Sequence, residues 1–358
     1  MCKLEIAQKF HERVNGDNFS NEAIEELLES DFFPLVKEKK TAYLYDLFNG
    51  LMLYDLKPEI IVSLYRALMK LDSYRREEVS VARLSGSTVL ECAGSGKKPY
   101  KTLNISTPSI ITAVASGARI IKKGSSTTSS IIGSADLLYC LGLREEIGDE
   151  NMLKLLQNTG FTFVNIEKVV PCFNSVYNGH FYKPHILSYI LAADVTSLRG
   201  DKIVYGLSGF DVMKCCKCLV FNNSCGDITV YSSTENEVDY FDELIGNGTC
   251  YVARKKRKHS HPTISQYALN TPSPKLLPAA FTKKESINAV VDLLKSHENK
   301  SYCDAVCCNA GFYLSESGVV NDILEGKELA MESLLSGRSY KKLVEIIKCS
   351  GGRPTWNE

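Results

Sequence analysis

The sequence predicts an α/β protein in two parts, an N-terminal helical domain over 1–75 and a larger α/β domain over 76–358 with a mostly parallel central sheet. Three observations carry that expectation. Apolar residues recur at helical spacing in the first part. After Ser87 the texture changes to short apolar runs that end in glycine turns. From there such runs alternate with helical stretches, the pattern of parallel strands joined by crossover helices.

The elements follow in order. Pro58 after Lys57 suits the first position of a helix, and Ile61, Leu64, Leu68 and Leu71 then fall on one face. Thr88-Val89-Leu90-Glu91-Cys92 reads as a buried strand running into the turn Ala93-Gly94-Ser95-Gly96. Further strands are expected over 119–121, 203–207, 229–231 and 249–252. The stretch 161–195, rich in His, Tyr, Asn and Pro, reads as a link or a second contribution to the helical layer. From Ser286 the chain is helical, with Leu343, Ile346 and Ile347 on one face of a last helix that ends at Gly351-Gly352.

Length and composition narrow the class. A chain of 358 residues, 44% hydrophobic and 23% charged, has the apolar mass for a large core. Lys and Arg total 42 and Asp and Glu total 42, so no global field draws nucleic acid or an acidic membrane. The N-terminus alternates charged and apolar residues instead of opening on an apolar stretch, and no apolar run approaches the roughly 20 residues of a membrane span. A cytoplasmic protein is expected, with its 13 cysteines reduced and serving largely as small core residues.

The segment 94–142 carries the chemistry. It holds Gly94-Ser95-Gly96-Lys97-Lys98, Asn104-Ile105-Ser106-Thr107, Lys122-Lys123-Gly124-Ser125-Ser126, Ser129-Ser130 and Gly133-Ser134-Ala135-Asp136. Glycines let backbone N–H groups approach an anion, hydroxyls and helix N-termini donate to it, and lysine adds charge, so this density suits phosphate. Read from composition alone, a set of ordinary turns fits equally well.

The order of the blocks resembles the anthranilate phosphoribosyltransferase family, whose pattern reads G-T-G-G-D, N-x-S-T, then K-H-G-N-R-x-x-S-S-x-x-G-S-x-D-x-L. Phe241-Asp242-Glu243-Leu244 resembles its L-D-E-L segment, Glu285-Ser286-Ile287-Asn288-Ala289 its E-N-A helix start, and 303–311 its R-D-A-V-L-L-N-A-G run. The similarity spans nearly the whole chain. It implies transfer of ribose 5-phosphate from phosphoribosyl pyrophosphate to an acceptor, with pyrophosphate leaving and Mg2+ neutralising its charge. Carried over by position, Gly94, Ser95, Gly96, Lys97 and Lys98 would line the pyrophosphate. Asn104, Ser106, Thr107 and Lys122 would hold phosphates and ribose, Ser130 the 5′-phosphate side, and Ser106, Asp242 and Glu243 the magnesium. Asn104 and Lys122 would be catalytic. The resemblance also implies a homodimer through the helical domain.

The sequence departs from the family in three places. The closing Gly-Asp of the first block has become Lys97-Lys98, turning an acidic site beside the diphosphate basic. His-Gly-Asn-Arg has become Lys123-Gly124-Ser125-Ser126, so Gly124, Ser125 and Ser126 would face the acceptor, with a short hydroxyl where an amide stood. The family's arginine for the anthranilate carboxylate is missing, and gap-free counting puts Asn178 in its place. A buried carboxylate without its cation is costly, so the acceptor is expected to be an aromatic, heterocyclic or amine compound other than anthranilate. Tyr177, His180, Tyr182, Lys183 and His185 would then form the acceptor pocket, with His180 as general base; packed or surface residues of a linker are the plain alternative.

Other readings compete. Arg254-Lys255-Lys256-Arg257-Lys258-His259 is a basic run that suits nucleic-acid phosphates, as in a family member that has lost catalysis, although no aromatic row accompanies it. A solvated loop is the commoner meaning. Cys215, Cys216, Cys218 and Cys225 contain a C-x-x-C without the second pair of a zinc site. A nucleoside phosphorylase-like enzyme would share the fold ancestry, but the glycine signature of those enzymes is missing.

Overall fold

The computed structural model describes residues 5–14, 24, 26, 29–30, 33–38, 40–100, 102–126, 132–145, 148–177, 181, 183–222, 226–277 and 282–356. The helix Pro58–Met69 starts at its proline, directly after the extended Lys57, and buries Ile60, Ile61, Leu64, Tyr65 and Leu68. With the helix Thr41–Gly50 it forms a helical layer.

Eight strands make one sheet: β1 (Val89–Gly94), β2 (Arg119–Gly124), β3 (Phe161–Asn165), β4 (Lys202–Gly206), β5 (Asp227–Thr234), β6 (Tyr240–Phe241), β7 (Thr249–Lys255) and β8 (Thr263–Ala268). Their order is β3-β2-β1-β4-β5-β7-β8, with β6 paired to β5. The pairs β1–β2, β2–β3, β1–β4 and β4–β5 are parallel, and β5–β6, β5–β7 and β7–β8 are antiparallel. The chain therefore builds outward from β1 to β3, then crosses back to place β4 on the other side of β1. In an open sheet such a reversal opens a crevice beyond the carboxyl ends of the two strands.

Successive residues of the central strands turn to opposite faces of the sheet. Leu90, Cys92, Ile120, Val204 and Tyr231 pack against the helices Ser106–Ala115, Lys300–Ser317 and Arg338–Cys349. Ile203, Tyr205, Ile228 and Val230 pack against the helical layer, residues 170–195 and the helix Val212–Phe221. The sheet is thus covered on both faces around β1, β4 and β5.

Three expectations need correction. The stretch 161–195 does not begin as a link: Phe161, Thr162, Phe163 and Val164 are buried in strand β3, because an edge strand covered by helices on both faces is a continuous buried run without alternation. The rest of it, through the helices Pro171–Tyr177 and Leu191–Asp194, does join the helical layer. Strand β8, exposed along most of its length, had no apolar pattern to announce it. The last helical part begins at Lys283, where Thr282 and Glu285 form a reciprocal cap.

Among the described residues no helix is long and apolar enough to cross a membrane. The eleven described cysteines are free thiols. Cys215, Cys216 and Cys218 are buried on the helix Val212–Phe221, Cys225 lies outside the described residues, and no group of three His, Cys, Asp or Glu side chains among the described residues is placed to hold a metal. The basic run is divided: the guanidinium of Arg254, on β7, turns inward to Glu316 at 2.7 Å, while 256–259 are exposed in the turn that follows.

Candidate active site

Strand β1 ends at Gly94 and β4 at Gly206, side by side in parallel register. The acid pair Asp242-Glu243, just after β6, lies against both. A Cβ at Gly94 would stand 2.3 Å from Asp242 Oδ2, and one at Gly206 would stand 2.0 Å from the Asp242 carbonyl oxygen. A side chain at Gly206 would strike backbone, and one at Gly94 would displace the Asp242 carboxylate. The turn after β1 is closed onto this segment by Gly96 N–H, which donates to Asp242 Oδ2 at 2.8 Å, and by Ser95, whose N–H donates to the Gly206 carbonyl at 2.9 Å.

Next to the acid pair the helix Ser106–Ala115 presents its N-terminus. Asn104 Oδ1 accepts from Thr107 N–H at 2.9 Å, and the Asn104 carbonyl accepts from the Tyr302 hydroxyl at 2.6 Å, so this entry is locked from both sides. Lys122, at the end of β2, donates from Nζ to Ser106 Oγ at 3.1 Å. Asn104, Ser106 and Lys122, with Lys97, Lys98, Gly124, Ser125 and Ser126, line one cleft. Its position is the crevice the strand order opens.

Most of the residues singled out in the sequence therefore lie around one cleft, with exceptions. Thr107 is completely buried beneath the helix start and does not line the cleft, because its side chain points to the core side of the first turn. Ser130, Asn178 and His180 lie outside the described residues. Gly94 and Gly96 line the cleft, yet the space at Gly94 is set by Asp242 and Gly96 donates to that carboxylate through its N–H.

The charges are arranged unevenly. Lys98 Nζ pairs with Glu243 Oε1. Burial lifts the Glu243 carboxyl to about 7, with Asp242 adding to the rise against the pull of Lys98. Burial works on Lys98 in the opposite sense to its acidic neighbours, and the neighbours win, holding it above the usual lysine value. Lys122, without a carboxylate in contact among the described residues, is brought down to about 8 by burial.

Lys97 is the unexpected member. Its backbone is left-handed (φ 66°), as glycine's would be, and its amine enters a buried cluster: Nζ donates to Tyr177 Oη at 2.8 Å and lies 3.0 Å from His185 Nε2 and 3.4 Å from Ser188 Oγ. Leu187 N–H donates to His185 Nδ1 at 3.3 Å, so the neutral imidazole carries its proton on Nε2 and offers it to the Tyr177 oxygen or to an unprotonated Lys97. Burial accordingly brings Lys97 to about 7 and, with Lys97 nearby, holds His185 well below its ordinary range. His185 sits behind the wall and Lys183 is exposed, so of the expected acceptor group only Tyr177 is described on the cleft surface, with Leu187, Ser188, Leu191 and Ala192. In the sequence this cluster showed as a lysine where a glycine turn was due, and as Tyr177 and His185 among the residues expected at the acceptor pocket.

Comparison with known proteins agrees with this geometry. Residues 86–179 match a family model described as the glycosyl transferase family, a/b domain. The anthranilate phosphoribosyltransferase of Pyrobaculum aerophilum is 29% identical over 275 residues, covering 73% of this chain and 77% of its own length. That of Shewanella loihica is 26% identical over 278 residues, covering 73% and 74%. Among solved structures, anthranilate phosphoribosyltransferase from Thermus thermophilus superposes with a TM-score of 0.71 at 21% identity over 98% of this chain and 100% of that one. The Saccharomyces cerevisiae enzyme in complex with PRPP and Mg superposes with a TM-score of 0.69 at 16% identity, covering 98% and 93%. A glycine-shaped acid pair and a capped helix start around one crevice thus stand in a chain that shares the fold of these enzymes and is similar in sequence to anthranilate phosphoribosyltransferases over about three quarters of their length.

Proposed function

We propose that this chain transfers the ribose 5-phosphate of phosphoribosyl pyrophosphate to an aromatic, heterocyclic or amine acceptor other than anthranilate, releasing pyrophosphate with the help of Mg2+. The observation that carries the reading is the convergence of the Ser106 helix start, Lys98, Lys122 and the acid pair on one crevice. The residues fit a divalent cation. Asp242 Oδ1 and Glu243 Oε2 are buried with no hydrogen-bond partner among the described residues, and hard oxygen donors suit magnesium.

In this reading Asp242 and Glu243 hold the metal, with Ser106 beside them. Bound magnesium supplies positive charge against the leaving diphosphate. Lys122 and the N–H groups at the Ser106 helix start bind phosphate oxygens, and Asn104 keeps that start in place. The wall of Tyr177, Leu187, Leu191 and Ala192 takes the flat face of the acceptor, and His180 is the residue we assign to its proton. The division into 1–75 and 76–358, a homodimer and a cytoplasmic location belong to the same proposal. The nucleic-acid alternative is weaker, since Arg254, the first residue of the basic run, is committed to Glu316.

Pyrophosphate release from phosphoribosyl pyrophosphate, followed across a panel of acceptors that includes anthranilate, tests the reading. Release that depends on a non-anthranilate acceptor supports it. In the double variant Asp242→Asn, Glu243→Gln, magnesium-dependent binding of pyrophosphate should disappear while the fold persists, and unchanged calorimetric titration would refute the metal assignment.

A further inference from the structure

The acid pair is not left open to metal on all sides. Of its four carboxylate oxygens, Asp242 Oδ2 accepts from Gly96 N–H at 2.8 Å and Glu243 Oε1 is paired with Lys98. The remaining two, Asp242 Oδ1 and Glu243 Oε2, are buried and unpartnered among the described residues. The Lys98 side chain keeps 17% exposure, against 4% for Glu243, and it lines the cleft. Its ammonium is therefore anchored at its inner side and reachable from the crevice. Lys122 provides a second ammonium on the Ser106 side of the same cleft.

We propose that Lys98 is a built-in cation of the diphosphate site, which takes over part of the charge neutralisation otherwise left to divalent metal. The inference rests on the transferase reading and specifies how its diphosphate is held. A bound cation takes the pair with both carboxyls ionised, and of those two negative charges the Lys98 ammonium offsets one. What remains is two oxygens and one net negative charge, a receptor for a single divalent ion rather than for several. A diphosphate entering the cleft meets one fixed ammonium at Glu243 and another at Lys122, and a charge-assisted hydrogen bond from a preplaced donor requires no metal. Two consequences follow: pyrophosphate binds when divalent ions are removed, and removal of the Lys98 charge strengthens metal binding while weakening metal-free diphosphate binding. A merely structural lysine would not move these two quantities in opposite directions.

Inorganic pyrophosphate is titrated calorimetrically into the full chain in excess EDTA and in Mg2+, and Mn2+ binding without pyrophosphate is followed by electron paramagnetic resonance. The wild-type chain should bind pyrophosphate in EDTA, and Lys98→Met should weaken that binding by about tenfold or more, the effect of one charge-assisted hydrogen bond. The same variant should bind Mn2+ more tightly than wild type. Circular dichroism checks its fold, and Lys98→Gln replaces it where the methionine variant does not fold. Wild-type binding only in Mg2+, or equal binding of wild type and variant in EDTA, overturns the proposal and leaves the transferase reading standing. No pyrophosphate binding in either condition overturns both.

Discussion

Arg76 and Glu91 form an ion pair at 2.6 Å in which both side chains are almost fully buried. Glu91, on β1, also accepts from Lys123 of β2 at 3.0 Å, and Arg76 donates to the Asp194 carbonyl at 2.6 Å. Tyr65, on the helical layer, donates to Asp194 Oδ2 at 2.7 Å. One polar network thus joins the helical layer, the helix Leu191–Asp194 and strands β1 and β2. Every charge in it has a counter-charge, which is the condition under which a buried carboxylate is tolerated.

Glu91→Gln should therefore be strongly destabilising, by about 3–5 kcal/mol, because Arg76 and Lys123 lose their common counter-charge. Burial alone would raise the Glu91 carboxyl, but Arg76 and Lys123 outweigh it and hold it below the ordinary value of 4.5. Its contribution is full above that value and is lost as pH falls through the lower folded one. Urea unfolding between neutral pH and about pH 3 should show wild type losing stability more steeply than the variant at the acid end. Parallel curves would remove Glu91 from the account of acid stability.

Gly94→Ala should abolish magnesium-dependent pyrophosphate binding while the protein stays folded. The added methyl would meet Asp242 Oδ2, at 2.3 Å, so the acid pair has to move. Gly206→Ala should be worse, since there the obstacle is backbone, at 2.0 Å. Calorimetry paired with thermal denaturation checks both; full binding by the Gly94 variant would show that the close approach does not set the site.

Lys97→Gly should raise thermal stability at neutral pH and raise the acceptor KM more than that for phosphoribosyl pyrophosphate. Glycine relieves a left-handed backbone worth about 1–2 kcal/mol and removes a buried amine. The folded amine releases its proton at about 7 against an ordinary 10.5, so the penalty for burying an ammonium is complete below about 7 and fades as pH climbs towards 10.5. The gain in Tm should accordingly be largest on the acid side and shrink on the alkaline side. A gain independent of pH would mean that backbone strain alone accounts for it.

Much of this was legible in the chain. Strand β1 and its glycine turn were found because short-range pattern sets them, an apolar run and a turn residue, whereas the Asn104 to Thr107 block and the Asp242-Glu243 pair were found through the family resemblance. Strand β3 was missed because a doubly covered edge strand loses its alternation, and β8 because an exposed one never had it. Thr107 was misplaced because spacing puts a residue on a helix start without saying whether its side chain turns outward.

By itself the sequence determined the alternation of strands and helices through β1, β2, β4, β5 and β7, the resemblance to the family pattern and the substitution of Lys97-Lys98 for glycine and aspartate. The tertiary structure alone decided what those two lysines do: one amine goes inward to Tyr177 and His185, the other reaches Glu243, 145 positions away. The physical reason is that a lysine's charge state and partner depend on burial and on groups brought near by folding. Neighbours in sequence specify neither.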